Sequence, residues 1–223
     1  MNVIYAIFRT IGLITGYPIQ LLFFKRRTFY EDKKSTHLFS GGKLIVSNHF
    51  NMFDYVLTSF IVCPRKLNVV ASEAPFKKPF FRFGMKFFGA IQANRETKNM
   101  GFMDESARVI RKGQLVQIFP EGRNTPDGNI HEFKKSYIVI AHRAGAPIVP
   151  IVTDGNYGLF KRASVIIGKE INVSDFITSE GRTPTREELD RVNEYIFNKV
   201  LSLREELESR KQSAKRRKKC PNS

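Results

Sequence analysis

The stretch LIVSNHFNMFD at residues 44–54 runs from an apolar segment through a polar loop into the start of a helix. The run LIVS at 44–47 is mostly apolar and partly β-branched, which predicts a strand, and a helix is predicted near 54–62. Further strands are predicted at 67–71, 115–119, 147–152 and 164–168, with helices near 99–112 and 134–143. This alternation predicts an α/β fold, a single domain with a central mixed sheet flanked by helices.

A long helix is expected to close the domain. Thr185 and Glu188 have the spacing of a capping box, and apolar residues then recur every three or four positions. These are Leu189, Val192, Ile196, Val200, Leu203 and Leu207. Residues 210–223 hold seven Lys or Arg residues and no acidic residue, which predicts a basic disordered tail. The globular domain is therefore expected to occupy residues 28–209.

Residues 1–27 form a separate N-terminal segment in this prediction. Residues 1–24 are mostly apolar, but Arg9 and Pro18 interrupt them, whereas a membrane-spanning helix needs about 20 consecutive apolar residues. One interpretation is a buried terminal helix. The other, which we favour, is a pair of short helices lying in the membrane interface. The basic cluster at 25–27 would then face anionic headgroups.

The net charge of +16 attracts phosphate groups of several kinds. Nucleic acid, anionic lipid and acidic proteins all fit this charge, so the charge alone does not choose among them. Cys63 and Cys220 are the only cysteines, too few for a disulfide framework, and this fits a reducing compartment.

A phenylalanine-rich stretch, PFKKPFFRFGMKFFGA, occupies residues 75–90. On a helix, its aromatic and basic side chains would lie on two different faces, which is typical of an interfacial membrane helix or an acyl-chain contact. The alternative is a core helix with a solvated lysine face. The aromatic face comprises Phe76, Phe80, Phe83 and Phe87, and the basic face comprises Lys78, Arg82 and Lys86.

His49 and Asp54 are the candidate catalytic residues of the loop NHFNMFD. Histidine exchanges a proton near neutral pH. A carboxylate on its far nitrogen fixes the tautomer and stabilises the imidazolium that forms. A tight turn between the two residues would bring them together, although most His–Asp pairs at this spacing are structural.

The sequence FPEG at 119–122 is the second candidate element. It ends a predicted strand and opens a glycine loop whose backbone amides, with Arg123 beside them, are expected to receive a phosphate or an oxyanion. An ordinary turn after a strand would explain Pro120 and Gly122, but not the acid and the arginine that flank the glycine.

Together, these elements resemble the lysophospholipid and glycerolipid acyltransferase family, whose best-known members are the 1-acylglycerol-3-phosphate acyltransferases. The resemblance runs in order from about residue 40 to residue 155. It covers NHFNMFD, the block GAIQANR at 89–95, FPEG, and APIVPI at 146–151. The second block keeps the family's spacing between its glycine and its arginine. The residues between these two differ from the family's pattern. After FPEG the family has Thr-Arg-Ser, whereas this chain has Arg-Asn-Thr.

The resemblance implies a role for each matching residue. His49 would be the general base and Asp54 its orienting partner, while Arg95 would bind the phosphate of the acceptor. Four further residues are expected to shape or contact that phosphate site: Glu121, Gly122, Arg123 and Lys134. Arg123 stands one position earlier than the family's arginine.

The implied reaction moves a fatty acyl group from a thioester to the hydroxyl of a phosphate-bearing lysolipid, most simply 1-acylglycerol-3-phosphate, to give phosphatidate. Neither GxSxG nor a cysteine beside His49 is present, which favours direct transfer without a covalent acyl-enzyme. The co-substrate would be acyl-CoA or acyl-acyl-carrier protein, with no cofactor. His37, His131 and His142 are scattered, so no metal site is expected. The expected location is peripheral or monotopic, on the cytoplasmic face of a membrane phospholipid surface.

Two other hypotheses stay open. The acceptor could instead be glycerol-3-phosphate or another lysophospholipid. From a different class, the basic tail and a pI of about 10.0 suit a protein that binds nucleic acid non-specifically. However, no zinc-finger spacing, helix-turn-helix or RNP-type aromatic signature is present, so no specific nucleic acid is expected.

Overall fold

The structure is a computed structural model, and it describes residues 3–32, 39–73, 77, 84–85, 89–93, 100–125, 127–177 and 183–219. Its strands are β1 (Arg27–Tyr30), β2 (Lys43–Ser47), β3 (Leu67–Ser72), β4 (Ala90–Ala93), β5 (Leu115–Ile118), β6 (Ile148–Thr153) and β7 (Ser164–Ile167). Its helices are α1 (Val3–Phe24), α2 (Phe53–Ile61), α3 (Gly101–Arg111), α4 (Ser136–Ala144) and α5 (Arg186–Lys219).

The seven strands form one sheet in the order β1-β7-β6-β2-β5-β3-β4. All neighbouring pairs are parallel except β6 and β7, which are antiparallel. The predicted mixed α/β sheet is therefore confirmed. β1 escaped prediction because its sequence, RTFY, has no apolar run and its residues are only partly buried.

Helices cover both faces of the sheet. On one face, α1 and α2 pack through Phe24, Leu57 and Phe60 onto alternate residues of the central strands, including Ile45 and Leu115. On the other face, α3, α4 and α5 pack onto the intervening strand residues. Their contacts include Leu44, Val46, Val116, Ile110, Ile138 and Val200. Strand residues are thus buried on both faces, as in other parallel α/β sheets.

The N-terminal segment is one helix. α1 continues through Pro18 over 22 residues, so the expected pair of short helices is wrong. It packs on α2, where the Tyr17 and Phe60 rings lie 6.3 Å apart, and a Cβ at Gly16 would lie 3.2 Å from the Phe60 ring. Among the described helices, none combines the length and the hydropathy that crossing a bilayer requires.

The outer face of α1 carries apolar side chains in contact with solvent. Several of the exposed residues are spaced three, four or seven positions apart, so these form a stripe along one side of the helix. The stripe comprises Ile7, Ile11, Ile14, Leu21 and Leu22. Gln20 and Phe24, near the carboxyl end of α1, are buried against the domain.

The closing helix begins as the sequence predicts. The Thr185 N–H donates to the Glu188 carboxylate at 2.8 Å, and the Glu188 N–H donates to the Thr185 hydroxyl at 3.2 Å, so the capping box is formed. The end of the helix differs from the prediction. α5 extends to Lys219, and Lys211 pairs with Asp154 at 3.0 Å. Residues 210–219 are therefore helical instead of disordered.

Replacing Thr185 with alanine removes the hydroxyl of the capping box. We expect the free energy of unfolding to fall by about 1 kcal/mol, because the Glu188 N–H loses its acceptor. Urea denaturation followed by circular dichroism measures this change. Thr183→Ala is the matched control, since Thr183 is exposed just outside the helix. An equal loss of stability in both variants would contradict the role of the cap.

Candidate active site

The site lies at the carboxyl ends of three adjacent parallel strands. β2 lies between β6 and β5, with Ser47 paired to Ile151 and Val46 paired to Ile118. The segments that follow these strands therefore meet at one edge of the sheet, where ligand sites of parallel α/β sheets form. They begin at Asn48, Phe119 and Asp154.

His49 and Asp54 come together at this edge. The turn between β2 and α2 places the His49 Nδ1 atom 3.0 Å from the Asp54 Oδ2 atom. Asp54 lies in the first turn of α2, where a negative charge is favoured by the helix dipole. The Asp54 side chain is fully buried, while that of His49 is 18% exposed. The His49 side chain is therefore partly accessible from solvent, whereas the Asp54 carboxylate is shielded from it.

The carboxylate of Asp54 accepts hydrogen bonds on both oxygens. Its Oδ2 atom accepts the backbone N–H groups of Phe50 at 2.7 Å and Asn51 at 2.8 Å, besides the His49 ring. Its Oδ1 atom accepts the hydroxyl of Tyr157, and the Thr153 hydroxyl lies 3.4 Å away. These donors stabilise the negative charge on a carboxylate that has no contact with water.

An ionised Asp54 fixes the tautomer of the catalytic candidate. Because Oδ2 accepts a hydrogen bond from Nδ1, the proton of a neutral His49 resides on Nδ1 and its Nε2 atom carries the free lone pair. In the described ranges, no side chain or backbone group forms a hydrogen bond with Nε2. The Phe119 ring stacks on the imidazole with centroids 3.9 Å apart, which limits rotation of the ring. The arrangement is that of a general base aimed away from its carboxylate.

The backbone of His49 is fixed from both sides by the loop after β5. Its N–H donates to the Glu121 Oε1 atom at 3.1 Å, and its carbonyl accepts the Thr125 N–H at 2.8 Å and hydroxyl at 3.0 Å. The other Glu121 oxygen accepts the His131 N–H at 3.0 Å. Burial raises the pKa of Glu121, and the His131 and His49 N–H groups oppose this shift. Glu121 thus links two loops beneath the histidine.

The residues predicted to bind the phosphate differ in their positions and exposure. Gly122 has a φ of 69°, and a Cβ there would lie 3.2 Å from the Lys134 side chain. Lys134 is exposed, and so is Arg123, on the same loop. The Gly122 N–H donates to the Phe119 carbonyl at 3.0 Å, so this amide is already used within the turn and does not point at an oxyanion. Arg95 lies outside the described residues.

The predicted phenylalanine-rich helix also falls mostly outside the described residues, which within 75–90 include only Lys77, Gly84, Met85, Gly89 and Ala90. The faces predicted for it stay predictions. The described residues contain no group of three His, Cys, Asp or Glu side chains arranged to hold a metal ion.

The sequence did not predict the residues at the end of β6, and after it, that support the His49–Asp54 pair. Tyr157 stands 103 positions after Asp54, and no local pattern marks it. Asn48 is fully buried and exchanges hydrogen bonds with the backbone of Thr153 at 2.9 and 3.1 Å. These contacts attach the turn between β2 and α2 to the end of β6. Only the strand order brings the two segments together.

Comparisons with known proteins identify relatives for most of this chain. The family model named Acyltransferase matches residues 26–154, which is more than half of the chain. The chain belongs to the acyltransferase family.

Among its relatives, the 1-acyl-sn-glycerol-3-phosphate acyltransferase of Bacillus subtilis is 23% identical over 173 residues, which cover 75% of this chain and 84% of that protein. The chloroplastic 1-acyl-sn-glycerol-3-phosphate acyltransferase BAT2 of Brassica napus is 27% identical over 163 residues, or 66% of this chain. The match spans only 46% of the plant protein.

The fold resembles a solved structure as well. The 1-acyl-sn-glycerophosphate acyltransferase PlsC of Thermotoga maritima superposes with a TM-score of 0.59 over 91% of this chain and 81% of that chain. The sequences are 20% identical, so this likeness concerns the fold.

Tyr157→Phe tests whether the buried hydroxyl supports the catalytic pair. Burial, followed by the charge of Asp54, raises the pKa of Tyr157, so its hydroxyl stays protonated and donates at any working pH. We expect its loss to lower acyl transfer by about 10–100-fold, since a hydrogen bond to a charged group contributes about 1.5–3 kcal/mol.

Tyr137→Phe is the matched control. Tyr137 is equally a buried tyrosine and donates to Asn193 at 3.0 Å on the opposite face of the sheet. Both variants should lose stability, but only Tyr157→Phe should lose turnover. Equal turnover in the two folded variants would show that Tyr157 has a structural role alone.

Proposed function

We propose that this acyltransferase moves a fatty acyl group from an acyl thioester to the hydroxyl of 1-acylglycerol-3-phosphate, producing phosphatidate. The observation that carries the proposal is the His49–Asp54 pair, with its free Nε2 atom at the carboxyl edge of the sheet. The names of the Bacillus and Brassica relatives support this choice of acceptor.

The chemistry follows from the tautomer of His49. Nε2 removes the proton of the acceptor hydroxyl as its oxygen attacks the thioester carbonyl, and Asp54 stabilises the imidazolium that forms. The new bond joins that oxygen to the acyl carbon. The carbon–sulfur bond then breaks, and the imidazolium returns the proton to the departing thiolate. No covalent acyl-enzyme is required, because the acceptor oxygen itself is the nucleophile.

The phosphate of the acceptor would bind to cationic side chains beside the histidine. Lys134 and Arg123 are exposed on the loops next to Gly122 and Glu121, and Arg95 is expected to join them. Binding the phosphate orients the hydroxyl toward Nε2. This positioning lowers the activation free energy of the reaction. The acyl donor in this proposal is acyl-CoA or acyl-acyl-carrier protein, because both carry the required thioester and a negative charge.

The protein would act as a peripheral or monotopic enzyme on a phospholipid surface, at the cytoplasmic face. The stripe of exposed aliphatic residues on α1 supports this location. Residues 1–30 contain no Asp or Glu, and three consecutive cations follow the helix at 25–27. Apolar side chains beside cations are the combination that binds anionic bilayers. The acceptor and the product are themselves lipids, so this location brings the site to its substrate.

His49→Ala is the primary test. We expect the variant to keep its fold and to lose acyl transfer by about 10²–10⁴-fold, the usual contribution of a general base. Lipid mass spectrometry of the product and circular dichroism of the purified protein measure the two quantities. His142→Ala, on α4, serves as the control. Turnover by His49→Ala at the rate of the control would overturn the mechanism.

A panel of acceptors tests the phosphate. With either thioester donor, we expect lysophosphatidate to react faster than a neutral monoacylglycerol, since only the former pairs with the cations of the site. Lys134→Ala should raise KM for lysophosphatidate about tenfold, corresponding to about 1.4 kcal/mol, with Lys112→Ala as an exposed control. Equal rates with both acceptors would refute a phosphate-bearing substrate.

A further inference from the structure

The loop at 158–162, with the sequence GLFKR, presents two large apolar side chains to solvent. Phe160 is 99% exposed and Leu159 is 59% exposed. Single exposed apolar residues are common on soluble proteins. Two adjacent ones at the tip of a loop, next to a longer apolar surface, indicate an interaction site.

The backbone holds this loop in a defined position. The Lys161 N–H donates to the Gly158 carbonyl at 3.0 Å, which closes the turn. The Gly158 N–H donates to the Phe23 carbonyl at 3.1 Å, and the Ala163 N–H donates to the Phe24 carbonyl at 2.8 Å. The loop is therefore attached on both sides to the last turn of α1.

A lysine strengthens the same attachment. Lys25, directly after α1, has a φ of 42° and donates its Nζ atom to the Leu159 carbonyl at 2.5 Å. The tip of the loop thus lies beside the end of α1 that carries Leu21 and Leu22. The loop and the α1 stripe together form one apolar surface, built from two segments that are far apart in the chain.

The charge around this surface is positive. Lys161 and Arg162 directly follow Phe160 and are exposed, and Lys25 lies on the other side of the loop. The loop contains no acidic residue. A bilayer with anionic lipids satisfies both features, because its interior takes the apolar side chains and its headgroups pair with the cations. An acidic protein would match the cations but would leave most of the apolar surface without a partner.

We propose that the loop at 158–162 is a second membrane-inserting element, which places Phe160 and Leu159 in the outer layer of an anionic bilayer beside α1. This inference rests on the proposed membrane location of the enzyme. To that proposed location it adds a specific function for the loop at 158–162. Two attachment points far apart in the chain fix the tilt of the domain, which a single helix leaves free to rotate about its axis.

The loop is also joined directly to the site. Tyr157, which donates to Asp54, immediately precedes it, and the Tyr157 and Phe24 rings pack 5.4 Å apart. Phe53, at the start of α2, packs against Phe23 of α1 with centroids 5.1 Å apart. Insertion of the loop would therefore set the position of the catalytic turn relative to the bilayer surface from which the lipid acceptor arrives.

The absence of tryptophan from the chain gives a direct test. Three variants, each with a single Trp, report on three places. They are Phe160→Trp in the loop, Ile14→Trp on the α1 stripe, and Tyr195→Trp on α5, which packs against Phe176 on the opposite face of the sheet. Each full-length variant is mixed with vesicles of phosphatidylcholine and phosphatidylglycerol, and its emission is recorded with and without brominated lipid as a quencher.

We expect the emission of Phe160→Trp and Ile14→Trp to shift to the blue and to be quenched by brominated lipid, while Tyr195→Trp stays unchanged. Phe160→Ser should weaken vesicle binding about tenfold or more, because one phenylalanine no longer leaves water. Phe160→Leu should bind nearly as the unmodified chain does. Vesicles of phosphatidylcholine alone, or high salt, should weaken binding further, as the cations lose their partners.

The outcomes separate this inference from the proposed function. A shift of Ile14→Trp without one of Phe160→Trp would overturn the role of the loop and leave membrane association standing. No shift in either variant would refute the membrane location itself, whereas the reaction is tested independently by His49→Ala. A blue shift of Phe160→Trp without vesicles, on adding acidic acyl carrier protein or on raising the protein concentration, would assign the surface to a protein partner and overturn the inference.

Discussion

The buried carboxylate of Asp54 is the group on which the rest of the site depends. An ionised side chain with no exposed surface is stable only when polar groups surround it. Here the donors come from the turn after β2, from the end of β6 and from Tyr157 beyond it. The hydrogen bonds that stabilise this one carboxylate therefore join three segments of the chain. The same carboxylate orients the imidazole of His49.

The strand order makes this convergence possible. Because β2 lies between β5 and β6, the loop that carries Glu121 approaches His49 from one side and the segment with Thr153 approaches from the other. Both backbone groups of His49 are then used in fixing its position, and its ring lies against Phe119. The fold thus holds the imidazole in one position and leaves its Nε2 atom without a hydrogen-bond partner among the described residues.

The apolar surface and the site lie on neighbouring elements. α1 and α2 share one face of the sheet, and the loop at 158–162 connects the last turn of α1 to Tyr157. Few contacts therefore separate the exposed apolar side chains of α1 and of this loop from the His49–Asp54 pair. The opposite face, covered by α3, α4 and most of α5, supplies the larger part of the core. Tyr137, a buried residue on this face, donates a hydrogen bond to Asn193 of α5. This hydrogen bond contributes to the packing of α4 against α5.

The sequence by itself determined the central strands, the helices between them, the capping box at Thr185 and the pairing of His49 with Asp54. These features depend on residues that are close in the chain, where periodicity and spacing are visible. The tertiary structure decided the strand order, the single course of α1 through Pro18 and the helical state of 210–219, where Lys211 pairs with the nearly buried carboxylate of Asp154. It alone also decided the roles of Asn48, Thr153 and Tyr157. Their partners lie about a hundred residues away, and such contacts leave no local pattern because they form only when the sheet assembles.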